Sequence, residues 1–253
     1  MTDVSELAAR LAKAVADRTA IAPLSDEIPG LDAATGYAVQ AVAREQAGQL
    51  AGWKLGVTSR AKQAQVGVRE PVRGFLASAN ALDLGEPLVT GQLIQPRAEP
   101  EIAFIMGRDL SGQAVTAADV LEATSGVATG IEILDSRYLD YRFTLPDVIA
   151  DNTSAGRFVI GAPVPPAGID LRLAGVVLER NGEVVATAAG AAALGHPAAA
   201  VAWLVRSLAA EGEGLLAGQV VISGGLTAAI GVTAGDVIVA SVDRLGVVEL
   251  ACR

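Results

Sequence analysis

The chain has 253 residues, of which 51% are hydrophobic and only 4% aromatic, so it can bury one sizeable core filled mainly by small side chains. A formal net charge of −9 with no basic run excludes a surface built for nucleic acid or for an anionic membrane. Cys252 is the only cysteine, which excludes an intrachain disulfide and a thiolate zinc site and fits a reducing, cytoplasmic location.

The first residues lack the basic-then-apolar pattern of a leader, and the sequence offers no membrane span. Leu7, Leu11 and Val15 recur at helical spacing and predict a first helix. Pro23, Pro29 and Gly30 make Ile21 to Leu31 a loop, and the Ala-rich stretch 35–50 predicts a second helix that ends near Gly52. Short runs rich in Val, Ile and Leu then predict strands at 53–58, 101–106, 130–134, 157–160, 171–178, 183–188, 219–222 and 236–250. Thr116 is a suitable N-cap for a helix through Val120 and Leu121, and a further helix runs from about Pro197 to Ala210. Asn181-Gly182 signals a hairpin, and Gly235-Asp236 a turn. The pattern is α+β: a helical N-terminal region over 1–75 and a mostly β core over 76–253, forming one functional unit. Gly224-Gly225 is a turn, and neither a phosphate loop nor a strand–GxGxxG–helix unit is present.

The segment Arg97-Ala98-Glu99-Pro100-Glu101-Ile102-Ala103-Phe104 places two glutamates on one face of a strand that enters an apolar run. Pro100 between them argues for an edge or first-residue position. Glu132 stands alone in a second apolar strand, followed by Asp135 and Arg137, which could pair. Carboxylates entering a core need a cation or shared protons. Three of them without histidine or thiolate form an oxygen-only site suited to Mg2+ or Mn2+. The alternative is that Glu99 and Glu101 lie on a solvated edge and that Glu132 pairs with an arginine.

In Gly52-Trp53-Lys54-Leu55-Gly56, Lys54 shares a strand face with two glycines, which leaves room for a ligand; the alternative is a surface lysine on a twisted edge. His196, before Pro197 at a helix start, reads as a surface or capping residue, and nothing around it resembles a nucleophile elbow.

These blocks, with Thr58-Ser59, Ile131-Glu132-Ile133-Leu134-Asp135-Ser136-Arg137-Tyr138, Asp151-Asn152-Thr153-Ser154 and Ser223-Gly224-Gly225-Leu226-Thr227, together resemble the 2-keto-4-pentenoate hydratase / 4-oxalocrotonate decarboxylase branch of the fumarylacetoacetate hydrolase superfamily, over nearly the whole chain. The resemblance implies a small helical N-terminal region on a distorted, mostly antiparallel β core. It implies Mg2+ or Mn2+ held by Glu99, Glu101 and Glu132, with Lys54 as the active-site lysine. Ser154 and Arg157 are candidates to position a substrate carboxylate, and Arg73 either contacts a second carboxylate or faces solvent. A homo-oligomer, associated with a sister hydratase, is also implied.

Within the branch, Thr58-Ser59-Arg60-Ala61-Lys62-Gln63 and the stretch 143–152 look more like the decarboxylases. The hydratases usually carry an aspartate in a P-D-x-G block, which here is Pro71-Val72-Arg73-Gly74, and Val72 cannot transfer protons. The expected reaction is therefore decarboxylation of a 2-oxo-3-enedioate to a 2-hydroxydienoate. The alternatives are hydration of 2-hydroxypenta-2,4-dienoate and, from another class, a non-catalytic partner in a pathway complex. Hydrolysis of an acylpyruvate would call for a His/Glu pair, and His196 is remote from the acidic blocks. Arg73 stands where an aromatic residue is usual and Ile230-Gly231 where a proline is usual, which bears on substrate identity more than on metal binding.

Overall fold

The computed structural model describes residues 3–59, 63, 68 and 70–253. Arg60, Ala61 and Lys62 of the decarboxylase-like block lie outside the described residues.

Helices dominate the start of the chain. Helix α1 (Val4–Asp17) begins where the Asp3 carboxylate accepts from the Ser5 and Glu6 amides, and it buries Leu7, Ala8, Leu11 and Ala14 on one stripe. The stretch expected to be a loop contains one helical turn, α2 (Leu24–Glu27), which is too short to carry a periodic signal. Helix α3 (Ala33–Gln46) follows, capped by Asp32. These helices form a layer around Leu7, Leu11, Leu24, Val39, Tyr138 and Ala150. The strands begin ahead of residue 75: β1 (Leu50–Gly56) and β2 (Val72–Ala77) both join the large sheet.

That sheet also contains β3 (Ala81–Leu82), β4 (Arg97–Met106), β5 (Thr124–Leu134), β6 (Ala155–Ile160), β9 (Val220–Ile222) and the short β10 (Ile230–Gly231). Its order is β2-β1-β9-β4-β5-β6-β3, with β10 beside β4; among the described residues β1–β9 and β3–β6 are its parallel pairs and the other pairs are antiparallel. A second, antiparallel sheet has the order β12-β11-β7-β8, from β7 (Gly175–Arg180), β8 (Glu183–Ala189), β11 (Val237–Val242) and β12 (Gly246–Ala251). Residues 171–174, expected to begin a strand, are instead a turn ahead of β7.

Three further helices lie in this part of the chain. Helix α4 (Ala117–Ala123) has the N-cap Thr116 that its sequence announces, and Asp119 completes a capping box with it. Helix α5 (Leu145–Ala150), which periodicity missed because it is under two turns long, starts with the equivalent Thr144/Asp147 box. Helix α6 (Pro197–Ala209) is capped by His196, whose Nδ1 accepts from the Ala198 amide at 3.0 Å.

Packing assigns the faces. Trp53, Leu55, Ile102 and Phe104 pack with α4 and α6 in the main core. Ala98, Ile131 and Ile133 pack against Leu178, Ile238, Ala240 and Val248 of the second sheet. The residues that alternate with these, including Lys54, Glu99, Glu101 and Glu132, therefore project to the opposite side of the large sheet. Among the described residues no helix is long and apolar enough to cross a membrane.

The second sheet has its own electrostatic clasp. Asn181, at φ 55, and Gly182, at φ 80, form the β7–β8 hairpin turn. Desolvation opposes ionisation of Asp236, but hydrogen bonds from Arg180, Asn181 and Thr233 outweigh it and hold its carboxyl well below the usual carboxylate range. Such a group stabilises the fold above the ordinary carboxylate pKa, and that contribution is lost as pH falls through the depressed native value. Asp236→Ala is expected to cost about 1–3 kcal/mol at neutral pH. In urea titrations the gap from wild type should narrow on acidification below about pH 4; a gap independent of pH would contradict the assignment.

Candidate active site

The floor of the site is the β4–β5 pair. Their register sets Glu99 opposite Glu132 and Glu101 opposite Gly130. The three carboxylates share one face, and all are buried: Glu99 is 3% exposed, Glu101 0% and Glu132 2%. The solvated-edge alternative is thus excluded. Strand β4 is interior, not an edge, yet Pro100 is still accommodated. On that side β10 pairs with residues 97–98 and β9 with 103–105, which leaves a gap in the ladder at Pro100. The Ser223–Leu226 loop fills it, with the Leu226 amide donating to the Pro100 carbonyl and the Gly224 amide donating to Glu101 Oε2 at 2.6 Å.

Lys54 on β1 is 2% exposed. Its Nζ lies 2.6 Å from Glu132 Oε1 and donates to the Thr153 carbonyl at 2.9 Å. Glu132 therefore pairs with a lysine and not with an arginine. Of the two flanking glycines, Gly56 lines the cavity as expected, whereas Gly52 faces neighbouring backbone and leaves no space for a ligand. A Cβ on Gly52 would sit 1.8 Å from the Val220 carbonyl oxygen, and one on Gly56 would meet Val72 and Thr153, so these glycines admit neighbouring protein.

The Thr153 carbonyl is supplied by an unusual turn. Asn152, Thr153 and Ser154 all have left-handed φ, of 48°, 52° and 58°. Hydrogen bonds hold it there: the Asn152 side chain exchanges two with the Phe75 backbone, and Asp151 is clamped by Arg137, Ser136 and Ser154. Arg137 consequently pairs with Asp151. Asp135 instead accepts from the Ile94 and Gln95 amides, so the Asp135–Arg137 pair that the sequence allowed does not form.

Above this floor opens a cavity of about 660 Å³. Lys54, Glu99, Glu132 and Ser154 line it, and apolar walls come from Val57, Val72, Leu134, Phe143, Val148 and Leu226. Glu101 lies beneath the surface. Two of the predicted residues lie elsewhere. Arg73 pairs in register with Leu55, so it projects to the face opposite Lys54; there it pairs with Glu211, donates to Ser207 Oγ at 3.1 Å and stacks on Tyr37. Arg157 pairs in register with Ile133, opposite in parity to Glu132, and its guanidinium reaches Asn80 at 3.0 Å rather than the large cavity. Both are corrections to the sequence reading, and both follow from strand parity.

The electrostatics call for a cation. Burial, and after it the Glu132 carboxylate, push the Glu101 carboxyl well above the usual carboxylate range. Burial also raises Glu132, with Lys54 opposing. Among the described residues no N–H group donates to the buried Glu101 Oε1, and the Glu101 carboxyl meets that of Glu132. With Glu132 turned to Lys54, no three acidic, His or Cys side chains among the described residues stand as a ready coordination shell. The donor chemistry nevertheless fits a hard divalent ion: three buried carboxylates on one face of the sheet, with no histidine or thiolate among them.

Sequence reading missed the Gly224 amide and the lining residues Arg97, Tyr141 and Phe143. The signal for Arg97 was its position two residues before Glu99 on the same strand face.

Known proteins resemble this chain in sequence and in fold. The fumarylacetoacetate (FAA) hydrolase C-terminal family profile matches residues 34–251. A 2-keto-4-pentenoate hydratase of Burkholderia vietnamiensis is 40% identical over 97% of this chain and 96% of its own. A 4-oxalocrotonate decarboxylase of Pseudomonas sp. strain CF600 is 41% identical over 92% of this chain and 90% of its own. The solved structure of the 4-oxalocrotonate decarboxylase from Pseudomonas putida G7, complexed with magnesium and adipate, superposes with a TM-score of 0.95 at 38% identity, covering 99% of this chain and 97% of the other.

Gly224 has φ +101, and a Cβ there would lie 2.2 Å from Thr58 Oγ1. Gly224→Ala should therefore cost about 1–3 kcal/mol in urea unfolding and weaken divalent-ion binding by misplacing Glu101. Wild-type stability and ion affinity in this variant would contradict the role given to the loop.

Proposed function

The chain belongs to the fumarylacetoacetate hydrolase family, and we propose that it is a Mg2+-dependent lyase that removes CO2 from a 2-oxo-3-enedioate of the 4-oxalocrotonate kind. The observation that carries the proposal is the group of three buried carboxylates beside Lys54 at the floor of a cavity with apolar walls. The magnesium and adipate in the solved relative support the choice of ion and of a six-carbon acid.

Glu99, Glu101 and Glu132 would hold the ion through oxygen. A bound divalent ion supplies Lewis acidity toward the carboxylate and keto oxygens of a 2-oxo acid. In the reaction the C5–C6 bond breaks and CO2 leaves. Its electron pair runs through the conjugated carbons to the C2 oxygen, which takes up a proton, giving a 2-hydroxydienoate. Lys54 is fixed by Glu132 and the Thr153 carbonyl, so its positive charge is in place before charge develops on that oxygen. Ser154 lines the cavity with its hydroxyl directed to Asp151, and it supports the Thr153 turn as well as the substrate end. Val72, 3% exposed on the cavity wall, presents no proton-transfer group where the hydratase block has a carboxyl. This favours loss of CO2 over addition of water. A homo-oligomer, association with a sister hydratase and a cytoplasmic location form part of the same proposal; sedimentation of the purified chain tests the first.

The experiment is a substrate panel with Mg2+ and Mn2+, scoring CO2 release from 4-oxalocrotonate against water addition to 2-hydroxypenta-2,4-dienoate. CO2 release is expected; water addition alone would establish the hydratase reading, which the 40% identical relative supports. Glu101→Gln should lower Mg2+ affinity by at least about 100-fold and abolish turnover, and Lys54→Met should lower kcat by about 100- to 1000-fold. Wild-type activity and ion affinity in Glu101→Gln would remove the metal site from the account.

A further inference from the structure

From the register of β4 we infer that Arg97, held flat against Tyr141, is the receptor for the distal carboxylate of the substrate and selects dicarboxylates over monocarboxylates. The inference rests on the 2-oxo acid reading above and adds the residue that sets chain length and charge.

Arg97, Glu99 and Glu101 alternate onto one face of β4, and Arg97 stands opposite Leu134 as Glu99 stands opposite Glu132. Arg97 and Leu134 both line the cavity and are partly exposed, whereas Glu99 and Glu132 are buried. Arg97 is thus at the mouth and the carboxylates are at the floor. Successive residues on one face of a strand lie about 7 Å apart, which matches a short extended diacid with its keto-acid end at the floor and its other end at Arg97.

The guanidinium carbon lies 3.9 Å from the centroid of the Tyr141 ring. Stacking occupies the guanidinium face and leaves its in-plane N–H edge for a carboxylate, which that fork can bind with two hydrogen bonds. Among the described residues no carboxylate pairs with Arg97, whereas Lys54, the other described cation in the cavity, is engaged by Glu132 and Thr153. Tyr141 is itself fixed. Its hydroxyl donates to the Gln95 carbonyl at 3.1 Å, and its backbone follows Asp140 into left-handed φ, at 58° after 56°. The Leu139 amide bonded to the Ile21 carbonyl and the Arg142–Asp26 ion pair anchor that turn. Two consecutive non-glycine residues in this region mark a conformation imposed by its surroundings, and here it delivers an aromatic face to an arginine. The chain carries a net charge of −9, so a dianion gains from a local positive charge at the entrance.

The distal carboxylate loses its charge as CO2 departs, so an ion pair to it stabilises the bound substrate more than the transition state. Arg97 should therefore act mainly on KM.

The test compares 2-oxoadipate with 2-oxohexanoate, which differ at the distal carboxylate, by calorimetry on the Mg2+-loaded full chain. Wild type should favour the diacid by about 10- to 100-fold. In Arg97→Gln the ratio should fall to near one with Mg2+ affinity kept, and turnover of 4-oxalocrotonate should show a raised KM with a smaller change in kcat. Arg97→Lys keeps the charge without the fork and should give an intermediate ratio; it is read alone if the glutamine variant does not fold. Tyr141→Leu should also lower the ratio by loosening the guanidinium. If both acids bind and the wild-type ratio persists in the Arg97 variants, the inference fails while the 2-oxo acid reading stands. If neither acid binds the Mg2+-loaded wild type, both fail.

Discussion

Three carboxylates are buried on one face of one strand pair, and much of the fold is arranged to tolerate that. Removing an ion from water costs several kcal/mol even after relaxation. Lys54 compensates one of the three through Glu132, and the Gly224 amide satisfies one oxygen of Glu101. Burial and the neighbouring Glu132 carboxylate push the Glu101 carboxyl up, and a bound cation would relieve that cost. Replacing these groups with apolar ones would cost the fold little. Their burial makes sense as the cost of a site that strips water from what it binds.

Several backbone features converge on the same demand. Gly52 lets β9 approach β1 closely, which brings the Ser223–Leu226 loop to β4. The gap in the β4 ladder beside Pro100 gives that loop its place. A Cβ on Gly74 would lie 2.5 Å from Thr153 Oγ1, so glycine there admits the left-handed turn whose carbonyl holds Lys54. The helical layer closes the site laterally, since Phe143 and Val148 line the cavity while Tyr138 and Ala150 pack among α1–α3.

Much of this was legible in the sequence because it is local. Glu99 and Glu101 share a face by strand period alone, and Thr116, His196 and Asn181-Gly182 announced their caps and turn. The failures share a physical origin in partners distant along the chain. Whether Arg73 faced the site depended on which residue of β1 it met, and pairing with Leu55 rather than Lys54 turned it to α6. Arg137 had Asp135 two residues away, but Asp151 offered its carboxylate where Arg137 could also reach the Asp135 and Ala155 carbonyls. Gly224 lies 123 residues from the carboxylate it serves, a contact no local pattern contains. Family resemblance pointed to the metal and to Lys54; register decided which arginines lie on their face of the sheet.

The most direct test of the central claim is a Mg2+ titration of chelator-stripped wild-type protein, followed by calorimetry and by thermal unfolding. The account predicts saturable binding of one ion per chain and a Tm that rises with Mg2+ concentration, because the ion binds only the folded arrangement of Glu99, Glu101 and Glu132. No binding heat and an unchanged Tm at millimolar Mg2+ would contradict it.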